Sequence, residues 1–268
     1  MARSAQPVGI SAWVGAAVAA LVLTVIAVPL GAVMLRADAS SGLGPADWAA
    51  VRFTVGQAFL SALFSVGLAI PVARALARRN FRGRSALIAL MGAPFILPVI
   101  VAVLGLLTVF GRQGALSEIL RLFGLPGVEI YGLHGVVLAH VFFNLPLAVR
   151  LILQGWLAIP VERFRLAATL GFSSRDIARH MERPMLRNVL PGAFLVIFLI
   201  CTTSFAVALT LGGGPRATTV ELAIYQAFLF DFDLGRAALL GVVQVAICVI
   251  AGVFVLWVAT PNAIGTGL

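Results

Sequence analysis

The chain has 268 residues, 61% of them hydrophobic and only 11% charged, with a mean hydropathy of +1.08. A soluble domain is about a quarter charged, so this composition excludes a disordered chain, a basic nucleic-acid-binding domain and an ordinary soluble enzyme, and marks an integral membrane protein. The net charge of +9 comes from 19 basic residues, all arginine; without lysine there is no P-loop and no Schiff-base chemistry, so any ATP-driven work needs an ATPase on another subunit.

A helix crossing the ~30 Å hydrocarbon core takes about 20 apolar residues. Six charge-free stretches meet that length: Ile10 to Leu35, Phe53 to Ala73, Ser85 to Gly111, Ile130 to Val149, Asn188 to Pro215 (with the span over 188–211) and Ala237 to Trp257. The pattern predicts an all-α, polytopic bundle of six transmembrane helices in a single domain over 1–268. The first stretch follows Arg3 and precedes Ala37-Asp38-Ala39, which resembles a cleavage site, but it far exceeds the apolar core of about 7–15 residues in a signal peptide. It reads as a true span. Cys201 and Cys248 lie inside apolar runs as small buried hydrophobes, and the scattered histidines and cysteines match no zinc spacing.

With the N-terminus inside, the inner side receives Arg3, arginines 74, 78, 79, 82 and 84, and arginines 150, 163, 165, 175, 179, 183 and 187, against Glu162, Asp176 and Glu182. The outer side receives arginines 36, 52, 112, 121, 216 and 236 against seven acids. The positive-inside rule then predicts cytoplasmic termini. All ten acids lie outside the predicted spans, which argues against an ion-coupled secondary transporter. The polar groups inside the spans are Gln57, Ser61, Ser65, His134, His140, Asn144, Thr202, Thr203, Ser204 and Gln244. Most read as interhelical hydrogen bonds, with Asn144 and the run Thr202-Thr203-Ser204 as candidates for a polar path. Pro71, Pro94, Pro98 and Pro146 kink or split their helices, and Pro94 with Pro98, flanked by Gly92 and Gly105, predicts a broken third span.

About 38 residues, Arg150 to Arg187, connect the fourth and fifth spans, long enough to carry structure of their own. Glu162 to Leu170 reads as a short helix beginning after Pro160 and stopped by Gly171. Ser173, with Asp176 three residues on, has the capping-box spacing for a second helix that runs to about Arg183 and ends at Pro184. Phe164, Ala167 and Ala168 share one face of the first helix, Ile177 and Met181 one face of the second. This hairpin is either an amphipathic cover lying on the inner membrane surface or a docking element inserted into a partner's groove.

Arg165-Leu166-Ala167-Ala168-Thr169-Leu170-Gly171, nine residues, then Met181-Glu182-Arg183-Pro184 resembles the EAA loop of ABC-importer permeases: E-A-A, three residues, G, nine residues, I-x-L-P. Ala167, Gly171 and Pro184 match; Arg165, Leu166, Met181 and Arg183 depart from the pattern. Leu211 to Gln226, Tyr131 to His134 with His140 to Pro146, and Gly111-Arg112-Gln113-Gly114 are similar to the branch of the family that serves thiamine and its phosphates, and the likeness runs from about Val51 to Trp257. Members of that branch resemble two such units fused, and this sequence matches the first half. It is either a piece of such a chain or half of a pair.

The resemblance implies a type I importer fold whose cytoplasmic loop over 160–184 couples to an ABC ATPase dimer through Arg165, Leu166, Ala167, Ala168, Gly171, Met181 and Pro184, with Ala167 and Gly171 chosen for smallness and Pro184 ending the element. It further implies a bacterial inner-membrane location in lipid, a periplasmic substrate-binding protein, and a second permease unit, whether a fused half, a separate chain or another copy. No cofactor is expected on this chain, ATP and Mg being held by the ATPase; no catalytic residue, metal or nucleic acid is expected. Gly212, Gly213 and Gly214 are expected as a helix-ending loop or an outer gate. Tyr225, Phe228, Phe230 and Phe232 suggest an interfacial aromatic belt or a contact for the binding protein. Ferric iron, sulfate and molybdate are the alternative substrates; a secondary transporter or an intramembrane enzyme is disfavoured, there being no intramembrane Asp pair, H-E-x-x-H or nucleophile elbow.

Overall fold

The computed structural model describes residues 10–37, 42–92, 94, 96–214 and 217–258. In chain order the helices are α1 (Ile10–Arg36), α2 (Pro45–Arg78), α3 (Arg84–Leu90), α4 (Val99–Phe110), α5 (Ala115–Leu122), α6 (Leu133–Leu157), α7 (Val161–Thr169), α8 (Ser174–Ile177), a π-helical turn (Ala178–Glu182), α9 (Arg183–Thr202), α10 (Phe205–Leu211), α11 (Val220–Leu229) and α12 (Leu234–Val258). Among the described residues, six helical stretches are long and apolar enough to cross a membrane: Trp13–Arg36, Pro45–Arg78, Val99–Leu122, Leu133–Leu157, Ser174–Thr202 and Leu234–Val258. This is a multi-pass all-α membrane protein.

The core forms where α2, α6 and α9 meet. On α2, Ala58, Ala62, Ala69 and Ala73 recur at spacings of four, seven and four residues, all fully buried, so they line one face. Without a hydrophobic force between helices in lipid, such small residues let backbones approach and pack by van der Waals contact. Gly155 of α6 does the same against α9: a Cβ there would come within 2.7 Å of the Met185 sulfur and 2.8 Å of Val189. By contrast α1 is exposed along its length and packs on α12.

Several span limits differ from those expected. The second helix runs from Pro45 to Arg78, beyond the charge-free stretch at both ends, so that Asp47 and Arg52 before it and Arg74 and Arg78 after it are helical too. The fourth runs to Leu157, which places Arg150 within α6 and shortens the connection to the fifth. The third does break: α3 stops at Leu90 and α4 restarts behind Pro98, which stands as its N-cap. Gly105, expected near that break, lies inside α4, and the apolar helical stretch runs on through α5 to Leu122. The fifth breaks at Thr203, and α10 completes it. The proposed cleavage residues Asp38 and Ala39, together with Pro215, Arg216 and both chain ends, lie outside the described residues.

Candidate functional site

At the end of the bundle where α2 and α6 terminate, α7 and α8 form the expected hairpin. Gly171 has φ +68°, its N–H donates to the Ala168 carbonyl (3.1 Å), and the Phe172 N–H donates to Ala167 (2.9 Å). This pair of bonds is a Schellman stop, which needs the left-handed backbone that glycine adopts without strain. Nothing in this chain lies within 4 Å of where a Gly171 Cβ would stand, so within the chain the glycine answers to backbone conformation and not to crowding. Ser173 then caps α8. Its Oγ accepts from the Asp176 N–H (3.3 Å), and the Ser173 N–H donates to the Asp176 carboxylate (3.0 Å). Hydrogen bonds from the Ser173 side chain and backbone hold the Asp176 carboxyl below its ordinary range.

The second helix of the hairpin does not end at Pro184. It passes through the π turn, where the Arg183 N–H donates to Ala178, five residues back, and continues as α9 with Pro184 in its first turn. A proline inside a regular helix lacks a donor and presses on the carbonyl four residues earlier; the wider π turn relieves that contact. Pro184 is a helix-internal start residue, exposed beside an apolar groove that Phe59, Phe194, Phe198 and Phe254 also line.

The residue that pins this hairpin is Glu182, 3% exposed. Its carboxylate accepts from Arg78 Nε (2.7 Å) and Arg74 Nε (3.0 Å) of α2 and from the indole N–H of Trp156 on α6 (3.3 Å). Arg74 and Arg78 are one turn apart and so face the same way. In the sequence Glu182 reads as one acid among arginines. Its two arginine partners lie more than a hundred residues away, and the sole local hint is its place two residues before Pro184.

The expected docking residues divide. Arg165, Leu166, Ala168 and Gly171 are exposed, with Leu166 and Leu170 forming an apolar ridge one turn long. Ala167 is 1% exposed and Met181 partly buried: both face their own chain, so Ala167 serves internal packing and not a partner.

The expected path residues divide too. Asn144 is buried, donating to the His140 carbonyl (2.9 Å) and to the Cys201 sulfur (3.4 Å). Thr202 is buried, whereas Thr203 is exposed and Ser204 half-buried. These last two form the break between α9 and α10. Breaking a helix frees carbonyls that must be satisfied in lipid, and two glutamines supply the donors: Gln57 of α2 to the Cys201 carbonyl (2.8 Å) and Gln244 of α12 to the Thr202 carbonyl (3.0 Å). Gly212, Gly213 and Gly214 end α10; Gly213 takes φ +76° with its Cβ position 3.1 Å from Tyr131. The Gly132 N–H donates to Leu211 (2.8 Å), so the glycine run and the Tyr131–His134 stretch lie side by side. Tyr225 packs on Phe205 and Phe230, while Phe228, Phe230 and Phe232 are exposed.

No family model matches the chain. It is 53% identical over 202 residues to the thiamine transport system permease protein ThiP of Escherichia coli (strain K12), covering 75% of this chain and 38% of that protein. It is 47% identical over 257 residues to ThiP of Salmonella typhimurium (strain LT2), covering 92% of this chain and 47% of the relative. The chain thus spans about half the length of these relatives or less. Among solved structures, a chain of a bacterial ABC transporter that imports the acidic polysaccharide alginate superposes with a TM-score of 0.68 over 82% of this chain and 81% of that one, at 16% identity. That likeness shows a common fold.

Proposed function

The chain belongs to the family of ABC-importer permeases, and on that premise we propose that it forms one half of a translocation path for thiamine and its phosphates across a bacterial inner membrane. The observation that carries the reading is the exposed, Schellman-capped hairpin between the fourth and fifth crossings, anchored to the bundle by a buried carboxylate. A docking element has to be exposed and anchored at once, and this one is both. In this reading both termini and the arginine-rich end face the cytoplasm, and Arg165, Leu166, Ala168 and Leu170 enter a groove on a separate ATPase that holds ATP and Mg. A second permease unit completes the path, and a periplasmic binding protein delivers substrate to the end that carries the glycine loop. The chain itself performs no catalysis. ATP-driven closure of the ATPases draws the hairpins together and reorients the bundles.

Substrate assignment rests on the likeness to thiamine permeases. The test is uptake of labelled thiamine in cells lacking their own thiamine permease, given this unit with its second half, ATPase and binding protein. Thiamine-dependent growth restored by the wild type and abolished by Leu166→Glu, with the variant still in the membrane and no longer retaining the ATPase, supports both assignments. Uptake of sulfate, molybdate or ferric iron in place of thiamine would overturn the substrate.

A further inference from the structure

We propose that Glu182 is the positioning residue that transmits movement of the hairpin to α2 and α6. The proposal rests on the reading of the hairpin as the ATPase-docking element. Between that hairpin and α9 lies a π turn (Ala178–Glu182), a single widened turn of the kind found at functional sites in otherwise regular helices. A push on α7 that travelled along α9 alone would have to pass through this turn. Glu182, its last residue, bypasses it. One carboxylate oxygen takes Arg78 and Trp156, the other takes Arg74, so a single side chain ties the end of the turn to two other helices.

Those two helices lead to the break in the fifth crossing. From α2, Gln57 holds the Cys201 carbonyl (2.8 Å); from α6, Asn144 reaches the Cys201 sulfur (3.4 Å). Both contacts fall on Cys201, near the end of α9 and two residues before exposed Thr203. The hairpin and the break are thus joined by α2 and α6, in addition to the length of α9 that separates them. The chemistry of the tie also favours this role over simple packing. Buried ion pairs are often no more stabilising than apolar residues of the same volume, and their best-attested use is to fix one geometry over others.

The experiment uses the whole transporter in proteoliposomes, with substrate moved per ATP hydrolysed as the readout. Glu182→Gln keeps the side chain's length and removes its charge. It is expected to leave ATP hydrolysis near wild type and to lower the transport ratio about tenfold; Arg74→Gln, which removes one arm at a half-exposed position, is expected to lower it about threefold. A second readout is the distance between spin labels at Asn80→Cys and Ser174→Cys in a Cys248→Ala background, with the fully buried Cys201 left in place to keep its contact with Asn144. It should stay single and constant through the nucleotide cycle, and broaden in Glu182→Gln. An unchanged transport ratio in both variants overturns the proposal, as does a wild-type label distance that changes with nucleotide. If Leu166→Glu still transports normally, the docking reading falls; if Leu166→Glu is inactive while Glu182→Gln keeps the wild-type ratio, only the role of Glu182 falls.

Discussion

Two carboxylates, Asp47 in the first turn of α2 and Glu182 packed against its last, are each 3% exposed. Asp47 receives both Nε and Nη2 of Arg236 (3.2 and 2.8 Å) and the Gly44 N–H (2.9 Å), but Arg236 also holds Asp231 (3.0 Å). One cation is shared among acids there. At the other end one acid is shared between two cations and an indole. The difference lies in what remains after a loss: without Asp47 the arginine keeps a partner, whereas without Glu182 two clustered arginines keep none among the described ion pairs. A buried group's importance follows from the redundancy of its partners more than from its own burial.

Alanine replacement separates the two ends of α2 most directly. Glu182→Ala is expected to destabilise by about 3 kcal/mol, toward the lower end of the cost of breaking a buried pair because both arginines are partly exposed. Asp47→Ala should cost about 1–2 kcal/mol. Thermal unfolding in nanodiscs measures both; equal losses would remove the argument from redundancy. The same logic applies to the break in the fifth crossing. Gln57→Leu, fully buried, is expected to cost about 1–2 kcal/mol by stranding the Cys201 carbonyl, and Gln244→Leu about 0.6 kcal/mol, the average for such bonds in a membrane.

Smaller effects belong to the hairpin. Gly171→Val forces a β-branched residue to φ +68° and should cost about 1–2 kcal/mol, while Gly171→Asn should cost less, since asparagine tolerates that region. Protease resistance of the α7–α8 turn reports both, and matching losses would show that space and not backbone conformation is limiting. The smallest effect is a dependence on pH. The Asp176 carboxyl is held below its unfolded value, so the stability it adds to the start of α8 is present above about pH 4 and is lost as pH falls through its folded value. Asp176→Asn should flatten that dependence, read as fraying of Ser174–Ile177 by NMR.

The sequence made the helical part of this architecture legible. Six apolar runs, the glycine stop and the Ser173–Asp176 cap all act through neighbours within one turn, and all appear in the structure. What it hid acts across the chain. Hydropathy cannot say that Glu182 turns inward, because its burial depends on two arginines of α2 and a tryptophan of α6. Helical periodicity put Ala167 and Ala168 on one face, yet a step of one residue is 100° on a helix, enough to bury one and expose the other. Pro184 signalled an end by local rules, but the π turn before it let the helix continue. Gln57 and Gln244 read as interhelical hydrogen-bonding groups and are so; what stayed hidden is that their partners are the carbonyls freed by the broken helix.

That π turn has a geometric consequence for evolution and engineering. A surplus residue inside a helix rotates everything before it about the axis relative to everything after it, by about 100°. The compass bearing of α7 with respect to α9 is therefore encoded in the residue count between Ser173 and Pro184. Deleting one residue from Ala178–Met181 would rewind the stretch to ordinary pitch and swing the Leu166–Leu170 ridge toward a different quadrant, with every side chain on that ridge intact.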